Sequence, residues 1–277
     1  MNIRFVFFVV LLAASACKSS YEKIRTSNDA ALQFKAANDF YKKKDYVRAQ
    51  ALYELALSSY RGQKEAEELY YNYADCHYQL REYEMAAHLY KNFASTFINS
   101  PLKETAEFNA AQAIYKTSPN YRLDQSGTIK AIDAFQSFVN TYPESPKVAE
   151  SNKLIDELRA KLEKKAYEQG KLYLDIKNYQ AAISTFENLL TDFPDTKNDR
   201  EVRYLIAKSM FLLAENSIFE KQKERYVESV NKSEYFLNRY PTGTYSKEVI
   251  AIKKEANKKY KNPEYDRYQN TGDRNKS

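Results

Sequence analysis

One spacing governs this chain. Ala37, Ala74 and Ala111 lie 37 residues apart, as do Phe34, Tyr71 and Phe108, and Tyr41, Tyr78 and Tyr115. Farther on, Tyr167 and Tyr204, Gly170 and Ala207, and Leu174 and Phe211 repeat the interval. Each such segment is followed by a small residue with an aromatic four places later: Ala49/Tyr53, Ala86/Tyr90, Ala131/Phe135 and Ala182/Phe186. A degenerate fifth copy has Ser229 and Ser233, and tyrosines stand three places ahead of the small residue at 46, 83, 179 and 226. Pro101, Pro143, Pro194 and Pro241 close four of the copies, where proline fits just beyond a helix end. A unit of this length cannot bury its apolar face alone, so successive copies must stack.

The columns resemble the tetratricopeptide pattern, in which small residues let paired helices approach and aromatics fill the space between pairs. The early Trp of that pattern is absent, its place taken mostly by Tyr or Phe. The fold expected is all-α, a solenoid of five helix-turn-helix repeats. Composition agrees. At average usage a chain of 277 residues would hold roughly 19 glycines and 14 prolines, and this one has 5 and 7. So little glycine disfavours many-hairpinned sheets and phosphate-cradling loops. The net charge of +6 is spread along the chain and gives no case for nucleic acid.

The register also locates what is irregular. Between the two small residues of each repeat the offsets are 12, 12, 20, 12 and 22. Extra residues are therefore expected around 117–127 in repeat three and around 216–222 in repeat five. From one repeat to the next the offsets are 25, 25, 39 and 25, and the surplus falls in Pro146–Leu174. Leu154, Leu158 and Leu162 recur there every four residues, which predicts one long helix on the order of 40 Å joining two rigid halves. The expected organisation is repeats one to three over 29–145, the long helix with repeats four and five over 146–256, and a disordered basic tail over 257–277.

The N-terminus reads as an address. Arg4 precedes the apolar run Phe5–Ala14, and Ala14-Ser15-Ala16-Cys17 follows. A run of about ten apolar residues is a signal-peptide core, too short to span a membrane. The ending resembles a bacterial lipobox, which implies cleavage after 16, acylation of Cys17 and a short lipidated tether over 17–28. An ordinary secretory signal with an incidental Cys17 is the alternative. Stable anchoring takes more than one acyl chain, which the resemblance supplies. By the same resemblance, Lys18 in place of an aspartate implies the periplasmic face of the outer membrane.

Chemistry is sparse. No HExxH, Walker loop or G-x-S-x-G occurs. Ser100-Pro101-Leu102-Lys103 matches S-x-x-K but reads as a helix start, with serine capping and proline in the first turn. His77 and His88 are the only histidines; His77 sits in the column of Phe40 and Ile114 and is expected in a core. Cys76 is expected as a small buried apolar residue. No metal, cofactor or catalytic residue is expected. The aromatics are more informative: Phe34/Tyr41, Tyr71/Tyr78 and Phe108/Tyr115 lie seven apart, nearly on one helix face. They either form a stepped groove for an extended peptide or pack neighbouring repeats together.

The whole chain resembles the BamD family, the tetratricopeptide lipoproteins of the β-barrel assembly machinery, in its Bacteroidota branch. Stretches that carry the likeness are Leu123-Asp124-Gln125, Lys130–Phe138, Tyr142–Ser145, Leu154–Arg159 and Asp192–Thr196. The resemblance implies a non-catalytic scaffold that helps insert β-barrel proteins into the outer membrane. Repeats one to three would receive an unfolded barrel protein, and repeats four and five would dock on periplasmic domains of the central, BamA-like barrel subunit. A tetratricopeptide adaptor of peptidoglycan or cell-division coordination would share the repeat but have other partners.

Overall fold

The computed structural model describes residues 20–265, and among them every regular element is a helix. Five helix pairs follow one another: α2 (Ala30–Lys42) with α3 (Tyr46–Ala56), α4 (Ala66–Gln79) with α5 (Tyr83–Thr96), α6 (Lys103–Thr117) with α7 (Ser126–Thr141), α8 (Val148–Asp175) with α9 (Tyr179–Asp192), and α10 (Asp199–Glu215) with α11 (Phe219–Arg239). A short α1 (Ser20–Arg25) precedes them and α12 (Ser246–Tyr260) follows. This is the tetratricopeptide α-solenoid that the register predicts. The chain divides into two compact units, the first ending at Leu158 and the second beginning at Arg159.

The tight turns share one chemistry. Lys44, Arg81 and Lys177 each stand seven residues after the small residue of the first helix, and each adopts positive φ, at 60°, 65° and 63°. The next N–H reaches back into the helix just ended: Asp45 to Phe40 O at 2.9 Å, Glu82 to His77 O at 2.9 Å, and Asn178 to Tyr173 O at 2.8 Å. That is a Schellman closure, which satisfies orphan carbonyls. The same next residue opens the second helix. The side chain of Asp45 accepts from the Arg48 N–H at 3.4 Å and that of Asn178 from the Ala181 N–H at 3.3 Å.

The small-residue columns are buried without exception. Ala37, Ala49, Ala74, Ala86, Ala131, Ala182, Ala207 and Ser229 are wholly inaccessible, and Ala111 is nearly so. At Gly170 the reason is steric, because a Cβ built there would lie 2.5 Å from the ring of fully buried Phe186.

A second pair of columns closes the three internal repeats. A hydroxyl fourteen places after the second small residue donates to a glutamate seven places before the first: Ser100 to Glu67, Ser145 to Glu104 and Thr196 to Glu163, each at 2.5 Å. The same oxygens accept backbone N–H groups two residues on, at 3.0 to 3.1 Å. The terminal repeats lack this latch. Repeat one has Ala30 and Gln63 at those places, and repeat five has Arg200 and Gly243. Arg200 lies over the Tyr240 ring at 4.6 Å, and a Cβ at Gly243 would approach its guanidinium at 3.2 Å. Repeat five is tied instead through Asp199, which accepts from Arg203 (2.9 Å), Arg239 (3.1 Å) and the Tyr240 hydroxyl (2.6 Å). Burial acts to raise the Asp199 pKa, but these donors outweigh it and hold the carboxyl below its ordinary value.

Several expectations change. The stretch assigned to a tether contains α1, whose Tyr21 and Ile24 pack on the first repeat. The surplus in repeat three is a loop over residues 118–125. It is held by buried Gln125, which donates to the carbonyls of Asn120 and Leu123 at 2.9 and 3.0 Å. The surplus expected around 216–222 in repeat five lengthens the two helices that meet there, α10 and α11, and α11 reaches 21 residues. The long helix exists over Val148–Asp175, about 42 Å. The unit boundary falls inside it rather than at 145/146, because Ile155 and Leu158 complete the core of the third repeat. The tail expected to be disordered from 257 continues α12 to Tyr260, and Tyr265 is buried against Phe219 at 4.7 Å. The rest of the tail, the signal segment and Cys17 lie outside the described residues.

Candidate peptide-binding face

The first helices α2, α4 and α6 carry the six aromatic candidates. Phe34 and Phe108 are buried, while Tyr41, Tyr71, Tyr78 and Tyr115 are half-buried. Their rings turn toward the second half of their own repeat. Phe34 lies 4.9 Å from Tyr60, Tyr41 5.8 Å from Tyr46, Tyr71 5.5 Å from Phe93, Tyr78 5.5 Å from Tyr83, Phe108 5.4 Å from Phe138 and Tyr115 6.4 Å from Phe135. These tilted and edge-on contacts are ordinary aromatic packing.

The hydroxyls point elsewhere, to the first helix of the next repeat. Tyr41 donates to Asp75 at 2.6 Å, Tyr115 donates to Glu157 at 2.7 Å, and Tyr71 accepts from Asn109 at 3.1 Å. Asn38 donates to Glu68 at 3.3 Å and Gln112 to Glu150 at 3.1 Å, which extends the ladder. Asp75 also accepts from the Tyr90 hydroxyl at 3.0 Å and from Gln79 at 3.3 Å. One column thus does two jobs: rings pack within a repeat, and polar tips link neighbours along the first-helix surface. Burial, then the bond to Asp75, pushes the Tyr41 phenol up; burial does the same for Tyr71 and Tyr78. For Tyr115 the hydrogen bond to Glu157 leads. These phenols stay neutral at any physiological pH.

Sequence reasoning missed the carboxamides and carboxylates that complete this face, namely Asn38, Asn72, Asp75, Asn109 and Gln112. A signal was there, because Asn72 and Asn109 occupy one column 37 apart. Asn72 donates to the Tyr53 hydroxyl at 3.2 Å.

The other residues singled out are engaged structurally. His77 is buried, with Nδ1 2.6 Å from Glu82 and its ring edge-on to Tyr73 at 4.7 Å. Cys76 is a buried free thiol whose pKa is pushed up to about 12 by burial. Ser100 does not cap α6 as expected: the helix begins at Lys103 after Leu102, and the Ser100 hydroxyl instead donates to Glu67 and accepts from the Leu102 N–H in the turn ahead of it. Among the described residues no cluster of three His, Cys, Asp or Glu could hold a metal ion, and no helix is long and apolar enough to cross a membrane.

Comparison with known proteins gives a family. The outer membrane lipoprotein family YfiO matches residues 26–216, from α2 through the end of α10. A curated relative, outer membrane protein assembly factor BamD of Rickettsia prowazekii (strain Madrid E), is 28% identical over 115 residues, 39% of this chain. The chain spans 46% of the length of that relative. Among solved structures, a TPR-repeat protein of Bacteroides fragilis NCTC 9343 is similar at 14% identity and TM-score 0.37, over 83% of this chain and 99% of its own. The TPR2AB domain of yeast Sti1, solved with pHSP90, is similar at 14% and 0.38, over 82% and 98%. On the family match, the chain is BamD-like and belongs to the YfiO family of outer membrane lipoproteins.

Proposed function

We propose that the protein is a non-catalytic scaffold of outer-membrane β-barrel assembly. It is anchored through acylated Cys17 and faces the periplasm. Repeats one to three receive an extended segment of an unfolded barrel protein on the first-helix face where Tyr41, Tyr71, Tyr78 and Tyr115 stand half-exposed, with Phe34 and Phe108 packed beneath them. Repeats four and five dock on the periplasmic domains of a BamA-like barrel subunit. The observation that supports this reading is the family match over residues 26–216, which takes in the whole aromatic ladder. Half-exposed tyrosines beside carboxamides suit an extended chain, offering flat apolar bodies and polar tips to its backbone.

Detergent pull-down from the native envelope tests the assembly role, with co-recovery of an Omp85-type barrel expected. Recovery without any such barrel would sink it. Palmitate labelling of wild type and Cys17→Ala tests the anchor, and equal labelling would remove it. For the groove, Tyr78→Ala and Tyr115→Ala should weaken binding of a barrel-strand peptide by about tenfold, a larger effect than on the urea midpoint. Equal losses in binding and stability would leave the columns as packing alone.

A further inference from the structure

The helix α1 runs alongside the first repeat in a fixed direction. Near its start, Tyr21 packs edge-on against Phe40 at 5.7 Å, at the end of α2, and the Arg48 guanidinium covers both rings at 5.8 and 5.0 Å. Beyond its end, the carbonyl of Ser27 accepts from buried Gln33 at 2.7 Å, near the start of α2. The beginning of α1 therefore lies at the turn between α2 and α3. Only Lys18 and Ser19 separate α1 from Cys17, and three residue steps span at most about 11 Å. If Cys17 carries the acyl chains, the membrane surface must come close to that turn.

The turn is built for such a neighbour. Lys42, Lys43 and Lys44 are consecutive and exposed, and form no ion pair with another described residue. Val47, in the first turn of α3, is 63% exposed. Lys44 occupies a positive-φ position where glycine would fit with less strain, and Arg81 fills the same position in the second repeat. Because Lys177 fills it in the fourth repeat as well, a base there belongs to the repeat, and what sets the first turn apart is its run of three consecutive lysines.

We infer that the α2–α3 turn, with Lys42, Lys43, Lys44 and Val47, is a membrane-apposed surface that binds anionic lipid headgroups. It thereby turns the α2–α3 end of the first repeat toward the bilayer. Lysines near an anionic surface gain about 1 kcal/mol each, roughly fivefold in local binding, and the gain fades with salt. The inference rests on acylation of Cys17 and adds an orientation to it.

The test uses the full lipidated protein carrying Val47→Cys with an environment-sensitive label, while buried Cys76 stays unmodified. A blue-shifted label is expected on vesicles containing phosphatidylglycerol and not on phosphatidylcholine alone. High salt, or the Lys42→Gln, Lys43→Gln, Lys44→Gln triple variant, should reverse the shift. A label at exposed Ile98, in the turn between α5 and α6, should not respond. On acylated, vesicle-bound protein, a label at 47 that stays in water would overturn the surface and leave the anchor standing. Absence of acyl mass on Cys17 would overturn the anchor, and the inference with it. Matching thermal melts would show that the triple variant folds.

Discussion

Position by position, the repeat tolerates almost no freedom at its small residues. Gly170 holds the place taken by alanine at 37, 74, 111 and 207, yet alanine should fail there. Its Cβ would meet the Phe186 ring at 2.5 Å, and that ring is fully buried. Overpacking of this kind costs about 1–3 kcal/mol, more than the roughly 1 kcal/mol of helix propensity that alanine returns. Gly170→Ala is therefore expected to lower the urea midpoint. Ser229 behaves oppositely. It fills a column that is alanine in the other four repeats, and its hydroxyl is buried without a partner. Ser229→Ala should raise stability by up to about 1 kcal/mol, measured by the same unfolding curve.

At the scale of elements, what joins two helices is more telling than what builds them. The Thr196–Glu163 latch links the turn before α10 to α8 with a charged acceptor, a class worth about 1.5–3 kcal/mol. A double-mutant cycle of Thr196→Ala with Glu163→Gln should give a coupling of about 1–2 kcal/mol, whereas simple additivity would show that the bond adds nothing. The helix pairs were legible from small residues and aromatics because their spacing is set by close packing, which admits few residue types. The latch was equally periodic but was not read, since serine before proline already had a local explanation as a cap. The surplus in repeat five was placed by the register, but its form was not legible there. A spacing count cannot tell a loop from two longer helices when, as over 216–222, the residues include no glycine or proline. The burial of Tyr265 was invisible because its partner, Phe219, lies 46 positions away and outside any column.

For the whole molecule, 25 tyrosines and no tryptophan become a thermodynamic property. Burial raises the pKa of phenols throughout the repeats; those of Tyr142 and Tyr226 rise to about 12. A phenol whose folded pKa exceeds its unfolded value of about 10 stabilises the fold fully below that pH and loses the contribution as pH rises through the folded value. Stability is thus expected to fall steeply between about pH 10 and 12. The phenolates of Tyr142 and Tyr226, followed by their ring-carbon NMR shifts, should appear together with loss of helix rather than ahead of it, and their free titration in the folded protein would contradict this. One consequence concerns ancestry. Each hydroxyl–glutamate latch lies wholly within one repeat, so duplicating a repeat copies both partners at once, whereas the tyrosine rungs need a complementary neighbour. An array built this way can gain internal copies by simple gene duplication. The first and fifth repeats lack the latch, with Ala30 and Gln63 in one and Arg200 and Gly243 in the other.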